Sequence, residues 1–514
     1  MAGEDSLKKR YVFKLVANVF GLVVGLATQA VIPRGLGPVA YGNFNFLTSF
    51  FQQVFGFLEM GTSTCFYTKL AQRQKDAGLV SFYLYFSGLI SLLVLALAAG
   101  GQVFALAPRL WPGQEMHYVY LAAVWGILNW FSVSVLNRMV DAYGLTVSSE
   151  VARMAQKVFS LVLILALYFS GRLNLTSFFY FNFAAMLFLC LAIFWIVEKK
   201  GFPLIGNLGL SRDAARKYAA EFWQYSHPLF IGAVIGLFAG LLDRWLLQLF
   251  SGSVEQGFYG LSSMIGSACF VFTGAMIPLL WREFSISFEK KDLGLMSHLF
   301  NRYVPLLYSV AAALACFIAV QADKVILIMG GRQYAGALWP VIIMAFYPIH
   351  QTYGQLNSVV CMAAGETRLY SKIGVLFALI GIPVGYLLLA PADKFGLNGG
   401  ATGLAVKMLL IQIVGVNVQL YYNCRLLKLD FLRYVRHQVS SVLLLLAFSL
   451  LALLGSESLS ALAGRPIPGF LFSGLLYSLL IAAVFYLKPV LFGLERKDIT
   501  SLIQFVTSKI VLSK

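Results

Sequence analysis

The chain is a succession of long apolar runs separated by short polar breaks. Val12 to Ile32 is apolar and meets the bend Pro33-Arg34-Gly35-Leu36-Gly37-Pro38-Val39-Ala40-Tyr41-Gly42. A second run, Asn43 to Tyr67, follows with one acid inside it, Glu59. Each run can cross a bilayer, since about 20 residues at about 1.5 Å rise span a hydrocarbon core of about 30 Å. The same alternation continues along the chain. It predicts fourteen spans at about 11–33, 42–67, 79–107, 116–138, 151–170, 174–197, 226–250, 257–281, 303–329, 335–362, 370–389, 397–423, 438–455 and 468–488. None of the runs alternates with the period of two that a lipid-facing strand requires. Lipid leaves no unpaired backbone group solvated, so the spans are expected to be helices.

Composition supports this pattern. Apolar residues make up 59% of the 514 residues and charged residues 12%; a soluble domain carries about 25% charged residues. The reading is an all-α polytopic membrane protein. A net charge of +17 would suggest nucleic acid in a soluble chain, but in a polytopic one it is first a topology signal. With the amino terminus inside, 30 of the 39 Lys and Arg residues fall on the inner face, 8 on the outer, and Lys407 within a span. Both termini are then cytoplasmic, and anionic membrane lipids are the expected surface partner rather than nucleic acid. The six cysteines, Cys65, Cys190, Cys269, Cys316, Cys361 and Cys424, form no C-x-x-C pair and read as small buried side chains.

The loops are short. Lys8-Lys9-Arg10 ahead of an apolar run has the look of a signal peptide, but the later counterpart of this run implies that it is retained. The longest break, Glu198 to Tyr225, contains Ser211-Arg212-Asp213 and the sequence on to Trp223, which reads as a capped amphipathic helix on the membrane surface. Glu495 to Lys514 alternates basic and apolar residues in a similar way.

Spans seven and eight repeat spans one and two. Gly21 and Gly25 share the four-residue spacing of Gly232, Gly236 and Gly240, Arg34 answers Arg244, and Tyr41-Gly42 answers Tyr259-Gly260 across a longer connection. Small residues at that spacing let helices approach closely. Asp141-Ala142-Tyr143-Gly144 likewise answers Met362-Ala363-Ala364-Gly365 before spans five and eleven. An even number of spans per copy gives a parallel repeat, the plan of transporters whose bundles rock about a central cavity. The expected domains are a six-helix lobe at 1–200, a linker helix at 201–225, a second six-helix lobe at 226–424, helices thirteen and fourteen at 425–488, and a cytoplasmic amphipathic tail at 489–514.

Ionisable groups inside spans are costly and mark functional candidates. Lys407 lies near the midplane of span twelve, Glu59 in the inner third of span two, Asp243 and Arg244 late in span seven, and His350 deep in span ten. Arg138 and Arg282 lie near inner boundaries. Arg34, Arg138 and Arg282 either line the cavity or snorkel to headgroups; His350 is either a core histidine or a titrating group. Lys407 needs a remote carboxylate, for which Glu59 is the candidate, or a polar cavity. Cations facing a cavity suit a diphosphate. Glu59, with Asp243 and His350 behind it, is the candidate for proton coupling. No G-x-x-x-x-G-K-[ST] loop, H-E-x-x-H or G-x-S-x-G occurs. Neither ATP hydrolysis, nor an enzyme activity, nor a cofactor or metal is therefore expected.

Arg34 to Gly42 followed by Leu58-Glu59-Met60-Gly61 resembles the opening of Wzx-type polysaccharide flippases, of the superfamily that includes lipid II flippases and multidrug extruders. Similar landmarks are Val254 to Gly260, Gly331-Arg332-Gln333-Tyr334-Ala335, Gly365-Glu366-Thr367 and Gly396 to Ala401. The resemblance implies a bacterial inner-membrane protein. Such a protein flips an undecaprenyl-diphosphate-linked oligosaccharide, for O-antigen or another surface polysaccharide, from the cytoplasmic to the periplasmic leaflet. It also implies alternating access around a cationic cavity lined largely by spans one, two, seven and eight. With no ATP site, the drive is an ion gradient (proton or sodium), the membrane potential or the substrate gradient, and polysaccharide polymerase machinery is a candidate partner. An organic-cation extruder of the same fold would favour buried acids without buried cations. A membrane polymerase or ligase would need a large outer loop.

Overall fold

A computed structural model describes residues 7–203, 210–227, 230–463 and 466–492. The cytoplasmic tail expected at 489–514 lies mostly outside the described residues. The chain folds as two compact units. The first comprises residues 1–257 with 329–333 and 389–400, the second 258–328 with 334–388 and 401–514. This division places the opening of α10 in the first unit, whereas the sequence repeat places it at the start of the second lobe.

In the first unit, α1 runs Leu7–Glu59, α2 Thr62–Gln72, α3 Ala77–Val103, α4 Ala107–Leu110 and α5 Met116–Trp130. A π-helical turn, Phe131–Leu136, leads into α6 (Asn137–Ala142), α7 (Thr146–Phe169), α8 (Leu175–Lys199) and α9 (Arg212–Ser226). Helix α10, Phe230–Ser267, begins there and ends in the second unit. The second unit continues with α11 (Val271–Glu289), α12 (Leu293–Val320), α13 (Ala322–Met329), α14 (Leu338–Ala363), α15 (Thr367–Leu389), α16 (Gly400–Leu427), α17 (Phe431–Ala463) and α18 (Pro466–Leu487).

The protein is a multi-pass membrane protein. Among the described residues, ten helical stretches are long and apolar enough to cross a membrane, and one of them, Gly232–Phe270, joins two helices across a kink. The predicted spans outside that set fall in α1, α11 and α14. Here a kink or polar side chains such as His350, Gln351, Gln355 and Asn357 of α14 dilute the apolar run. Span nine starts at Leu293 rather than near residue 303, because Asp292 caps α12 by accepting from the Leu295 N–H at 2.8 Å.

The repeat is written into local conformation. The polar bend expected at 33–42 is helical on both sides of one residue, Gly37, with φ 75° and ψ 168°. Gly252 breaks α10 with φ 78° and ψ −170°. Only glycine adopts that region without strain. Five residues beyond each kink lies a second glycine with no room for a side chain. A Cβ on Gly42 would meet the Ser253 carbonyl oxygen, and one on Gly257 the Pro38 carbonyl oxygen. The contact is reciprocal, so the repeat register pairs Gly42 with Gly257, not Tyr41-Gly42 with Tyr259-Gly260. Arg34 then corresponds to Leu249 rather than to Arg244.

Two further pairs recur later in the chain, the spacing between copies growing by one residue and then by six. Asp76 caps α3 through the Leu79 N–H at 3.0 Å as Asp292 caps α12. The turns at Gly144 (φ 72°) and Gly365 (φ 73°) carry the same bonds, Leu145 N–H to Val140 O at 3.0 Å and Glu366 N–H to Cys361 O at 2.9 Å. The glycine stripes meet the sequence expectation in part: a Cβ on Gly21 would meet Lys157 and one on Gly240 would meet Gln53. Gly25, Gly232 and Gly236 have no neighbour within 4 Å of where a Cβ would stand.

Aromatic packing holds each unit. In the first, Phe66 stacks on Tyr83 with centroids 4.1 Å apart and Phe51 packs on Trp111. In the second, Phe284, Phe300, Tyr308 and Tyr353 are fully buried among α11, α12 and α14. All six cysteines are buried free thiols.

Helix α9 starts where the sequence places its cap, with Ser211 accepting from the Ala214 N–H at 3.2 Å. Its apolar face buries Tyr218 and Phe222 against Phe82. Its Glu221 meets Arg73 at 3.3 Å and Lys69 at 3.7 Å on α2, while Arg212, Arg216 and Lys217 are exposed.

Candidate functional site

Glu59 is the last residue of α1. Met60 (φ 44°) and Gly61 (φ 76°) are both left-handed, so the backbone cannot continue as a helix, and α2 restarts at Thr62. The acid thus stands at a break inside a span. The π-helical turn lies opposite, and such turns re-aim side chains by widening the helix.

Trp130 donates its indole N–H to Oε2 of Glu59 at 2.9 Å, Ser134 donates to the same oxygen at 3.1 Å, and Ser63 donates to Oε1. Phe55 stacks on Trp130 at 5.4 Å and fixes its plane. Among the described residues, Glu59 forms no ion pair. Three neutral donors hold it instead.

The two oxygens differ chemically. An indole can only donate, so Oε2 must remain an acceptor towards Trp130; a hydroxyl can also accept, so a proton on Oε1 could be donated to Ser63. The carboxylate edges a cavity of about 440 Å³ whose wall also includes Gln52, Gln53, Trp125, Asn129 and Trp130. A carboxylate among aromatic rings and amides can take up a proton or meet a cationic group.

The other candidates are dispersed. Arg34, on α1 just before the kink, is exposed, and its backbone carbonyl accepts from Gln333 Nε2 at 2.8 Å. Arg244 is half-buried in a two-way clasp with the fully buried Gln256. Its Nη1 donates to Oε1 at 3.2 Å, and the amide nitrogen donates back to the Arg244 carbonyl. Asp243 beside it is also half-buried. Arg138 is exposed on α6, and Arg282 is exposed and paired with Glu283 at 2.8 Å.

Lys407 is buried in α16, and Gly381 of α15 leaves room for its ammonium, Nζ lying 3.3 Å from where a Cβ would stand. His350 of α14 is half-buried, has no hydrogen-bond partner at Nδ1 among the described residues, and lies edge-on to Tyr308 at 6.1 Å. Glu59 belongs to the first unit, Lys407 and His350 to the second.

Trp130, Ser134 and Ser63 were not singled out by sequence reasoning. Trp130 and Ser134, four residues apart in span four, were the available signal, but the π-helical turn that aims both at one oxygen has no sequence signature.

The family model described as polysaccharide biosynthesis protein matches residues 7–282, more than half of the chain. No curated protein matches it. Among solved structures, the inward closed form of the lipid II flippase MurJ superposes with a TM-score of 0.64 at 13% identity, covering 93% of this chain and 99% of that one. An inward-facing multidrug resistance MATE family transporter of the MOP superfamily gives 0.63 at 14%, covering 81% and 99%. A MOP superfamily transporter from Pyrococcus furiosus gives 0.52 at 14%, covering 82% and 96%. These likenesses establish the fold, and with the family match the chain belongs to the polysaccharide biosynthesis protein family.

Proposed function

We propose that the protein is a flippase that moves an undecaprenyl-diphosphate-linked oligosaccharide, an O-antigen or other surface-polysaccharide repeat, by alternating access. It acts from the cytoplasmic to the periplasmic leaflet of a bacterial inner membrane, with both termini cytoplasmic. The observation that carries this reading is that a polysaccharide biosynthesis family is here built on a membrane fold whose spans hold ionisable side chains, with no catalytic motif in the sequence. In this reading Lys407 and Arg244, with Arg34, Arg138 and Arg282 towards the faces, take the diphosphate in turn. The kinks at Gly37 and Gly252 are the points about which the six-helix lobes rock. Glu59 couples the cycle to a proton or sodium gradient, with Asp243 and His350 as secondary titrating groups, and a polysaccharide polymerase receives the product.

The test is a deletion strain assayed for lipid-linked oligosaccharide in the cytoplasmic leaflet. Build-up that a plasmid copy reverses is the expected result. The carboxylate and two indoles at one cavity favour a second reading, an organic-cation extruder. Absent build-up together with reduced dye efflux would put that reading in place of the first.

A further inference from the structure

The second unit holds a cavity of about 300 Å³ between α14, α15 and α16 whose wall, among the described residues, contains no charged side chain. Four glutamines face it: Gln351 and Gln355, one turn apart on α14, and Gln412 and Gln419, two turns apart on α16. Two aromatic rings of α15, Tyr370 and Phe377, complete the walls used here. Gln412 donates its amide N–H to Oε1 of Gln351, which ties α14 to α16. The amide oxygens of Gln355 and Gln419 are buried and accept no hydrogen bond from the described residues. A buried acceptor left unpaired costs free energy, so these amides gain from a ligand that brings donors.

The ligand chemistry follows by exclusion. A lipid tail would leave the amide oxygens of Gln355 and Gln419 unsatisfied in hydrocarbon. A metal cation would seek carboxylates, and the wall has none. A phosphate would need a cation within the wall. Lys407 is one turn from Ile411 of the wall, with its ammonium against Gly381, but does not itself line the cavity. A neutral polyhydroxylated ring meets each demand, since hydroxyls both donate to and accept from carboxamides while the ring's C–H face lies on an aromatic plate.

We infer that this cavity is a recognition site for an uncharged sugar residue. Resting on the flippase reading, the inference adds that the transported glycan is selected at the second unit by its neutral hydroxyls rather than by charge.

The full-length protein in lipid nanodiscs would be photolabelled with a diazirine-bearing trimer of N-acetylglucosamine, and the labelled peptides mapped by mass spectrometry. Saturable labelling within 347–358, 370–377 and 411–419 is expected, displaced by unlabelled trimer but not by trigalacturonate. The variant Gln355→Met/Gln419→Met keeps side-chain volume and removes both amides, and should lower labelling roughly tenfold. The single variant Gln355→Met, expected to fold as wild type does, should lower it severalfold. Non-saturable labelling, labelling centred on other helices, equal displacement by trigalacturonate, or wild-type labelling of both variants would each overturn the inference. Translocation of lipid-linked oligosaccharide, measured separately in proteoliposomes, distinguishes the two failures. Saturable labelling at these peptides without translocation sinks the flippase reading alone, and translocation without labelling sinks this one alone.

Discussion

The two units each hold a polar cavity, and the cavities are chemically unlike. The first has an acid at a helix break, held by an indole and two hydroxyls. The second has four carboxamides and no charge. A titratable group whose neighbours remain satisfied in either protonation state suits coupling to an ion gradient. A neutral amide wall suits selection of cargo. Duplication of the fold has therefore preserved its turns and kinks while the polar side chains have diverged. Glu59 has no acidic counterpart at the equivalent place in the second copy, where the corrected register puts Gly274.

The largest expected effect is at the acid. Glu59→Gln keeps the shape but cannot titrate, and its amide N–H₂ opposes at least one of the three donors. Transport should fall by roughly a hundredfold, as for losing strong hydrogen bonds to a charged group, and the residual rate should lose its pH dependence. Rates in proteoliposomes at imposed proton gradients measure this. A variant that retains wild-type pH dependence removes Glu59 as the coupling group and with it the functional contrast between the cavities.

Next come the cations. Lys407→Ala and Arg244→Ala should each lower complementation about tenfold at normal membrane levels, the value of a charge-assisted bond to a phosphate. Full activity in both would leave diphosphate binding without these contacts, and the uncharged cavity as the remaining candidate for cargo in the second unit. A smaller, severalfold loss is expected for Trp130→Phe. It retains the ring on Phe55 but removes one of the two donors to Oε2, and a wild-type transport rate in proteoliposomes would show that this donor does not position the acid.

Much of the fold was legible because lipid imposes continuous apolar runs. The cap at Ser211 and the turn at Gly144, with its partner at Gly365, were readable because each needs specific residue types. The kink register was misread. Tyr41-Gly42 and Tyr259-Gly260 match by letter, whereas the structure pairs glycines by the carbonyl each must accommodate. Charged groups drew attention in the sequence through their insertion cost, so Glu59 and Lys407 stood out. Gln351, Gln355, Gln412 and Gln419 carry a smaller cost each and signal only when the fold brings them to one wall.

The smallest effect lies at the edge of the first cavity. Ser63, which bonds Glu59, stands near the start of α2, and the far end of α2 is held by Lys69 and Arg73 to Glu221 of α9. Tyr218 of α9 donates to Asp76 at 2.8 Å, and burial, aided by that carboxylate, pushes its phenol up to about 12. The folded state therefore holds a proton that the unfolded chain releases near pH 10. This contribution is complete below about pH 10 and is lost as the pH rises from about 10 to about 12. Tyr218→Phe removes one hydrogen bond of about 1 kcal/mol and should lower Tm by about 1–2 °C at pH 8 in a chain of this size. The gap to wild type should close above pH 10, because only the wild type then loses stability by ionising. A constant gap up to pH 11.5 would mean that the phenol contributes packing alone. No counterpart of α9 braces the glutamine wall among the described residues, so the same variant should leave sugar labelling of the second unit unchanged.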